Sequence, residues 1–513
     1  MYLSFSIYLT LLVCKSYYGL NNFIYGGIIM ITFLIGLVIL VVGGVLYGRY
    51  VESVFGPDDR PTPATKINDG VDYVPMKKNK NALIELLNIA GTGPILGPIQ
   101  GILFGPIAFL LIPIGCVLGG AMHDYFSGMI SIRSEGKQMP ALISEHLGGK
   151  VYKVYSVFVI FLMILVGAVF IYTPGDLIVV NLLKQEALVN NPVVWIVYGC
   201  IFVYYLCATL FPIDKIIGKV YPIFGAILLL SAVGIFIGLF VKGYQLQNVT
   251  AANWKGIHPA GVPILPIFFV TVACGIVSGF HSTQATLIGR SVVSEREGIY
   301  TFYDMMILEG FIAMIWAAAA MGIYAKGVPA ELIGKPAIIG MVANDMLGSI
   351  GGLIAVLGVI VLPITSGDTS LRAARLMIAD AINFDQSKAK NRVILTTIIF
   401  IPVLAILIFA KVDAQGFNIL WQYFSWANQT IAVFAFAMIS LYLYKQKKQY
   451  LISLLPGMFY TFIITAYLFG AKIGFRLPQN IANIIGVVFA IVYAYLVVSA
   501  GKRALKNQDK LSA

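Results

Sequence analysis

Few polar groups interrupt the long apolar stretches of this chain, and ionisable side chains at membrane depth are costly enough to count as functional candidates by default. His281 sits among Ser278, Gly279, Phe280, Ser282, Thr283 and Gln284, where a neutral imidazole can hydrogen-bond a ligand or take up a proton near neutral pH. Asp124, in GGAMHDYFSG, follows His123 and a Gly119-Gly120 pair that permits close helix contact, and suits either a coupling proton or a helix clamp. Glu85 lies in the first turns of another apolar segment, where a helix dipole can hold a carboxylate. ITSGDTSLRAAR, from Ile364 to Arg375, gathers Thr365, Ser366, Asp368 and Thr369, hard oxygen ligands suited to Na⁺, unless they only cap a helix end before a basic loop. FSWANQT adds Trp426, Asn428 and Gln429, which can line a cavity or simply bond between helices. A metal site would need His123 and Asp124 to fold against His281, and no ligand spacing predicts it, so none is expected.

These groups need an apolar frame to position them. The chain is 59% hydrophobic and only 11% charged, which identifies a polytopic all-α membrane protein. Cys14, Cys116, Cys200, Cys207 and Cys274 lack CxxC spacing and read as small packing residues. Thirteen spans are expected, at about 25–47, 82–105, 107–131, 153–173, 193–212, 219–241, 264–289, 301–324, 350–366, 393–411, 418–444, 450–470 and 481–500. Residues 1–24 form an N-terminal extension without a signal-peptide cleavage site, and Met30 serves as a start as well as Met1 does. The loop 48–81 carries Arg49, Arg60, Lys66, Lys77, Lys78 and Lys80 and is therefore assigned to the cytoplasm. Alternation from there puts the N-terminus outside, the C-terminal tail 501–513 inside and most basic residues in the cytoplasm. The net charge of +12 thus reflects topology in a bilayer and needs no nucleic-acid partner.

Two of the spans carry their own interruptions. ALIELLNIAGTGPILGPIQGILFG, residues 82–105, places Gly91, Gly93, Pro94, Gly97 and Pro98 near its middle, and the segment 263–290 turns polar after Ile276. Backbone freed from a helix at membrane depth persists only where protein or a cavity satisfies it, so the breaks point to a binding site. Five spans begin with each broken one, and because five is odd the second set enters in the opposite sense. Repeats at 82–241 and 263–444 follow, related by inverted topology, with an external loop at 242–262, an extra helix at 25–47 and two C-terminal helices at 450–500. A substrate between the breaks would meet Ala90, Gly91, Thr92, Gly93 and Gly97 from one side. Ser278, Gly279, Phe280, His281, Ser282, Gln284, Asn428 and Gln429 would face it from the other. Asp124, His281, Thr365, Ser366, Asp368 and Thr369 are the candidates for the coupling ion.

Two rival motifs fail. Gly91-Thr-Gly93 is no dinucleotide loop, because no strand precedes it. An intramembrane aspartyl protease would use Asp304 and Asp368, but Thr365 replaces the first glycine of its GxGD motif, and the triplet Pro140-Ala-Leu142 comes too early in the chain.

Asp69-Gly-Val-Asp72-Tyr-Val-Pro75, Ile89-Ala-Gly-Thr-Gly-Pro94, Leu96-Gly-Pro98, Gly119-Gly120 with Asp124, Ala273-Cys-Gly275, Ser278-Gly-Phe-His281 and Asn428-Gln429 together resemble the carbon starvation protein CstA family of peptide and pyruvate transporters. The chain departs from the longer members in its compactness, in Ser282-Thr-Gln284 and in His123. The resemblance implies a symporter of the bacterial inner membrane with a LeuT-like five-plus-five arrangement, no cofactor, no enzymatic activity, and a small peptide or pyruvate as substrate. Its coupling ion would be H⁺ in preference to Na⁺. A nutrient sensor on a transporter fold is the non-transport alternative.

Overall fold

A computed structural model describes residues 30–70, 72–210, 214–382, 384–385 and 388–512, without the side chains of residues 210, 214–222, 224, 365, 368, 369, 380, 381, 389 and 508–512. The described residues are mainly helical and include no strand. In chain order the main helices are α1 (Ile31–Phe55), the bent pair α2 (Lys78–Ile89) and α3 (Gly93–Phe104), α4 (Ala108–Arg133), the short α5 (Met139–Leu147) and α6 (Gly149–Leu182). They continue with α7 (Pro192–Thr209), α8 (Asp214–Val241), the short α9 (Ile267–Val272), α10 (Gly279–Ile288), α11 (Glu295–Ala325) and α12 (Ile338–Ala381). The last four are α13 (Ala389–Val412), α14 (Gly416–Lys445), α15 (Leu451–Gly470) and α16 (Gln479–Ser512).

Among the described residues, eleven helical stretches are long and apolar enough to cross a membrane, and the bent pair α2–α3 makes twelve. The remaining expected span, 219–241, corresponds to α8, of which Gly225–Val241 counts only as a shorter apolar helix. The N-terminal extension falls outside the described residues. The first helix continues to Phe55, beyond the expected boundary, and α16 carries the expected tail along in helical form as far as Ser512.

Burial sorts the helices into layers. In α14 and α11 the apolar windows are 89% and 83% buried, against 22% in α16 and 33% in α1, so the former pair forms the centre and the latter faces lipid. Close approach at the centre depends on small residues. A Cβ on Gly120 would strike the Ile276 carbonyl, and one on Gly119 would lie 2.8 Å from Val277, so the glycine pair of α4 lets the second break lie directly against it. A π-helical turn, Cys116–Ala121, spans this contact just before His123 and Asp124.

One expectation is corrected in α12. The run from Thr365 to Ser370 does not end a helix, because the backbone stays helical to Ala381; the kink of this helix lies earlier, at Gly348, with φ 73°. Ser370 returns its hydroxyl to the Ser366 carbonyl at 2.8 Å, a bond that satisfies the side chain without leaving the helix.

Outside the spans, the connection after α1 is tied to the second half of the chain. Arg133 donates to the buried Glu295 at 2.9 and 2.8 Å, and the Asp58 amide donates to the same carboxylate at 3.0 Å. The Arg60 guanidinium beside Asp58 holds that carboxyl well below the usual carboxylate range.

Candidate substrate and ion site

The site begins with backbone that cannot stay helical. α2 ends at Ile89, Ala90 leaves the helical region (φ −79°, ψ 54°), and α3 starts at Gly93 after a bend of 51°. Pro94 falls in the first turn, where its missing N–H costs nothing, and the Ile95 and Leu96 amides donate to the Thr92 carbonyl at 3.3 and 2.8 Å. The Thr92 hydroxyl is fully buried there without a partner. The second break runs from Ala273, whose φ of 28° is rare for an L-residue, through Ile276 (φ −123°) to the extended Ser278. The two breaks touch. A Cβ on Gly93 would lie 2.6 Å from Cys274 Sγ, and one on Gly97 would lie 2.7 Å from the Val272 carbonyl oxygen, so these positions admit only glycine without displacement.

α14 supplies the bonds that the second break lacks. Asn428 Oδ1 accepts from the Phe280 amide at 2.9 Å and from the Ser278 hydroxyl at 3.1 Å, acting as the cap that α10 does not provide for itself. Gln429 Nε2 donates to the Phe269 carbonyl at 2.5 Å, and Trp421 Nε1 donates to that of Thr271 at 3.3 Å. Freed backbone inside a membrane protein is thus satisfied by side chains of a neighbouring helix.

Beside the breaks lies a closed cluster of acids and imidazoles. Asp124 Oδ1 is 2.8 Å from His123 Nδ1, and its Oδ2 is 3.1 Å from His281 Nδ1. The same His281 nitrogen is 3.6 Å from Glu309 Oε2. Glu85 is near enough for its charge to act on Asp124 and Glu309. All five side chains are essentially inaccessible, and neither Glu85 nor Glu309 has a hydrogen-bond partner. Among the described residues, the imidazoles of His123 and His281 are the groups within ion-pair distance of these carboxyls, and no three His, Cys, Asp or Glu side chains are arranged to hold a metal ion. Burying three carboxyls beside two imidazoles is costly unless charges are paired or neutralised, which makes the cluster a candidate proton carrier.

The expected residues therefore divide. Asp124 and His281 meet directly although 157 positions apart, and Ser278, Gly279, Phe280, Asn428 and Gln429 form the wall of the second break. Ser282 and Thr283 return their hydroxyls to the Gly279 and Phe280 carbonyls within α10, and Gln284 Nε2 donates to the Thr283 hydroxyl. Trp426 turns away and donates to the Ile464 carbonyl of α15 at 2.9 Å. Ser366 is buried with its hydroxyl unpartnered, whereas the side chains of Thr365, Asp368 and Thr369 lie outside the described set. Glu309 is the participant that sequence reasoning missed. Its signal was present, a carboxylate inside the apolar run ILEGFIAMIW.

Taken together, a many-spanning helical bundle with two touching helix breaks and a buried acid–imidazole cluster beside them defines a polytopic membrane protein. The chain belongs to the family described as carbon starvation protein CstA, whose profile matches residues 28–209, 186–344 and 327–468. A protein named "Uncharacterized membrane protein" from Haemophilus influenzae is 40% identical over 58% of this chain and 91% of its own length. The peptide transporter CstA of Escherichia coli is 22% identical over 79% of this chain and 75% of its own. The pyruvate/proton symporter BtsT of the same organism is 23% identical over 56% of this chain and 48% of its own. A solved manganese transporter from Eremococcus coleocola shares the fold with a TM-score of 0.52 at 13% identity, covering 85% of this chain and 99% of that one.

Proposed function

We propose that this chain is a secondary active transporter of the inner membrane, importing a small carboxylate-bearing solute by proton symport with alternating access. The observation that carries the reading is the Asp124–His281–Glu309 arrangement beside two touching breaks, where a proton and a substrate can each alter the position of α10. A substrate carboxylate would meet the positive end of the α3 dipole and the unpartnered Thr92 hydroxyl. Relatives named as a peptide transporter and as a pyruvate/proton symporter support both the class of solute and the ion. The basic loop after α1 supports an N-terminus outside and a C-terminus inside, and the spans from α2 to α8 and from α9 to α14 suit the two inverted repeats. Na⁺ coupling through the α12 hydroxyls is less favoured, because the backbone stays helical through Ser366 and Ser370 spends its hydroxyl on the Ser366 carbonyl.

The test is uptake of labelled pyruvate and alanyl-alanine into proteoliposomes under an imposed pH gradient in sodium-free buffer. Wild type should accumulate at least one of them, and Asp124→Asn and His281→Gln should each abolish accumulation. Strict sodium dependence refutes the proton reading, and binding without accumulation leaves a sensor.

A further inference from the structure

A second shielded ion pair lies at the ends of the helices farthest from the basic loop. Lys411 Nζ donates to Asp176 Oδ1 at 2.7 Å, with the two side chains 3% and 10% exposed. The Tyr198 hydroxyl donates to the same oxygen at 2.6 Å. A lysine in the last turn of a span ordinarily extends into water. This one instead lies 4.9 Å from the Tyr172 ring and 5.6 Å from that of Tyr198.

Aromatic rings lead inward from the pair. Tyr172 packs on Phe417 at 4.7 Å, Phe417 on Trp421 at 6.2 Å, Trp421 on Phe424 at 5.4 Å and Phe424 on Phe170 at 6.5 Å. Phe170 faces Gly91, its Cζ 3.6 Å from where a Cβ would stand, and Trp421 bonds the Thr271 carbonyl. The column therefore reaches both breaks.

A buried ion pair is a poor stabiliser, because desolvation offsets its attraction, so its presence among aromatic rings calls for another role. Among the described residues, Asp176 is the hydrogen-bond acceptor of Lys411, which leaves an ammonium with donor capacity to spare. We propose that Lys411, Asp176 and Tyr198 form an outer station for a small zwitterion, an amino acid or a peptide with free ends, and that the aromatic column connects it to the breaks. The proposal rests on the transporter reading above. The ligand carboxylate replaces Asp176 on Lys411 and Tyr198, while the ligand ammonium pairs with the released Asp176. No buried charge is left alone. A monoanion such as pyruvate opens the same pair but strands Asp176, and strong discrimination follows.

The experiment is calorimetric titration of the full-length protein in nanodiscs with L-alanyl-L-alanine, its N-acetyl and amide derivatives, and pyruvate. Wild type should bind the zwitterion about a hundredfold more tightly than the other three, the fold expected when one buried charge is stranded. Lys411→Met should erase the preference over the amide, and Asp176→Asn the preference over the N-acetyl form. Pyruvate binding as tightly as the dipeptide in wild type overturns the proposal. If either single variant misfolds, the double variant Lys411→Met with Asp176→Leu removes both charges, a change that buried pairs commonly tolerate. Discrimination retained in that variant also overturns the proposal. Labelled-dipeptide uptake separates the two readings: selective binding without accumulation removes transport but leaves the station, whereas uptake with wild-type KM in the double variant removes the station and leaves transport.

Discussion

Adding one methyl group at Gly97 tests whether contact between the breaks matters for transport. A Cβ there would stand 2.7 Å from the Val272 carbonyl oxygen and 3.1 Å from that of Thr271. Carbon and oxygen settle at about 3.3 Å or more, so α9 must retreat by about 0.6 Å. Overpacking of this kind costs about 1–3 kcal/mol, but alanine also favours the helical state over glycine by about 1 kcal/mol, so the net loss of stability should be small. Function should suffer more, because misplacing a site by about 1 Å can cost about 100-fold. Gly97→Ala should therefore lower the initial rate of proton-driven uptake at least about tenfold while the melting temperature in detergent shifts by only a few degrees. Gly43→Ala, in the peripheral α1, is the control, since its Cβ would meet Ile39 at an ordinary 3.8 Å, and its uptake should stay near wild type. Wild-type uptake in Gly97→Ala, or equal losses in the two variants, would refute the claim that the crossing of the two breaks shapes the site.

Other predictions concern the surrounding parts. Glu309→Gln, which removes a buried acid 3.6 Å from His281, should abolish uptake driven by a pH gradient yet leave the protein folded by circular dichroism; unimpaired pH-driven uptake removes Glu309 from the coupling machinery. Asn428→Ala strips the cap from α10 and should cost about 1–2 kcal/mol, seen as a lower melting temperature that Asn428→Asp partly restores. Burial pulls the His146 imidazole down to about 4, and it packs edge-on against Tyr442. Because the folded protein holds that proton less tightly than the unfolded chain, wild-type stability should fall as pH drops from about 6.5 towards about 4. His146→Phe should flatten that part of the melting profile, and an unchanged slope counts against this assignment. For topology, Thr65 is exposed whereas its neighbour Thr62 is buried, so a cysteine at Thr65 should react only with membrane-permeant reagents in right-side-out vesicles; labelling by an impermeant one reverses the orientation.

The first break was legible because glycine and proline act locally: Gly91, Gly93 and Pro94 interrupt the helix after Ile89, although it resumes from Gly93 and runs through Pro98. Asp124 and His281 were legible for a similar reason, as polar types in apolar sequence. Their meeting was not, since no local pattern joins residues 157 positions apart. Glu309 carried the same signal and was passed over, because nothing local distinguishes an acid facing a cluster from one facing water near a span end. Asn428 was read as a possible ligand, yet its oxygen is engaged by the backbone of α10, a partner 148 positions away. The hydroxyls from Thr365 to Ser370 were misread as a terminus, because a polar run after an apolar one usually ends a span; here the helix continues to Ala381. No local pattern joins Lys411 and Asp176, 235 positions apart, and only the packing of α6, α7, α13 and α14 turns them towards each other.

The placement of these groups limits how the parts can move. α10 carries His281, and thus the link to Asp124 and Glu309, while its first turn is held by Asn428. α14, which supplies Asn428, also holds the Phe269 and Thr271 carbonyls on the other side of the same break. A change of charge at His281 therefore acts on a half-helix whose opposite constraint comes from α14, and α14 also contributes Phe417, Trp421 and Phe424 to the aromatic column. Displacing α10 away from α14 must break the Asn428 cap or carry α14 along. Since an uncapped, buried amide costs about 1–3 kcal/mol, movement of the two together is the cheaper course. The acid–imidazole cluster on one side of the breaks and the aromatic column on the other are thereby joined through one helix, with no need for a longer chain of contacts.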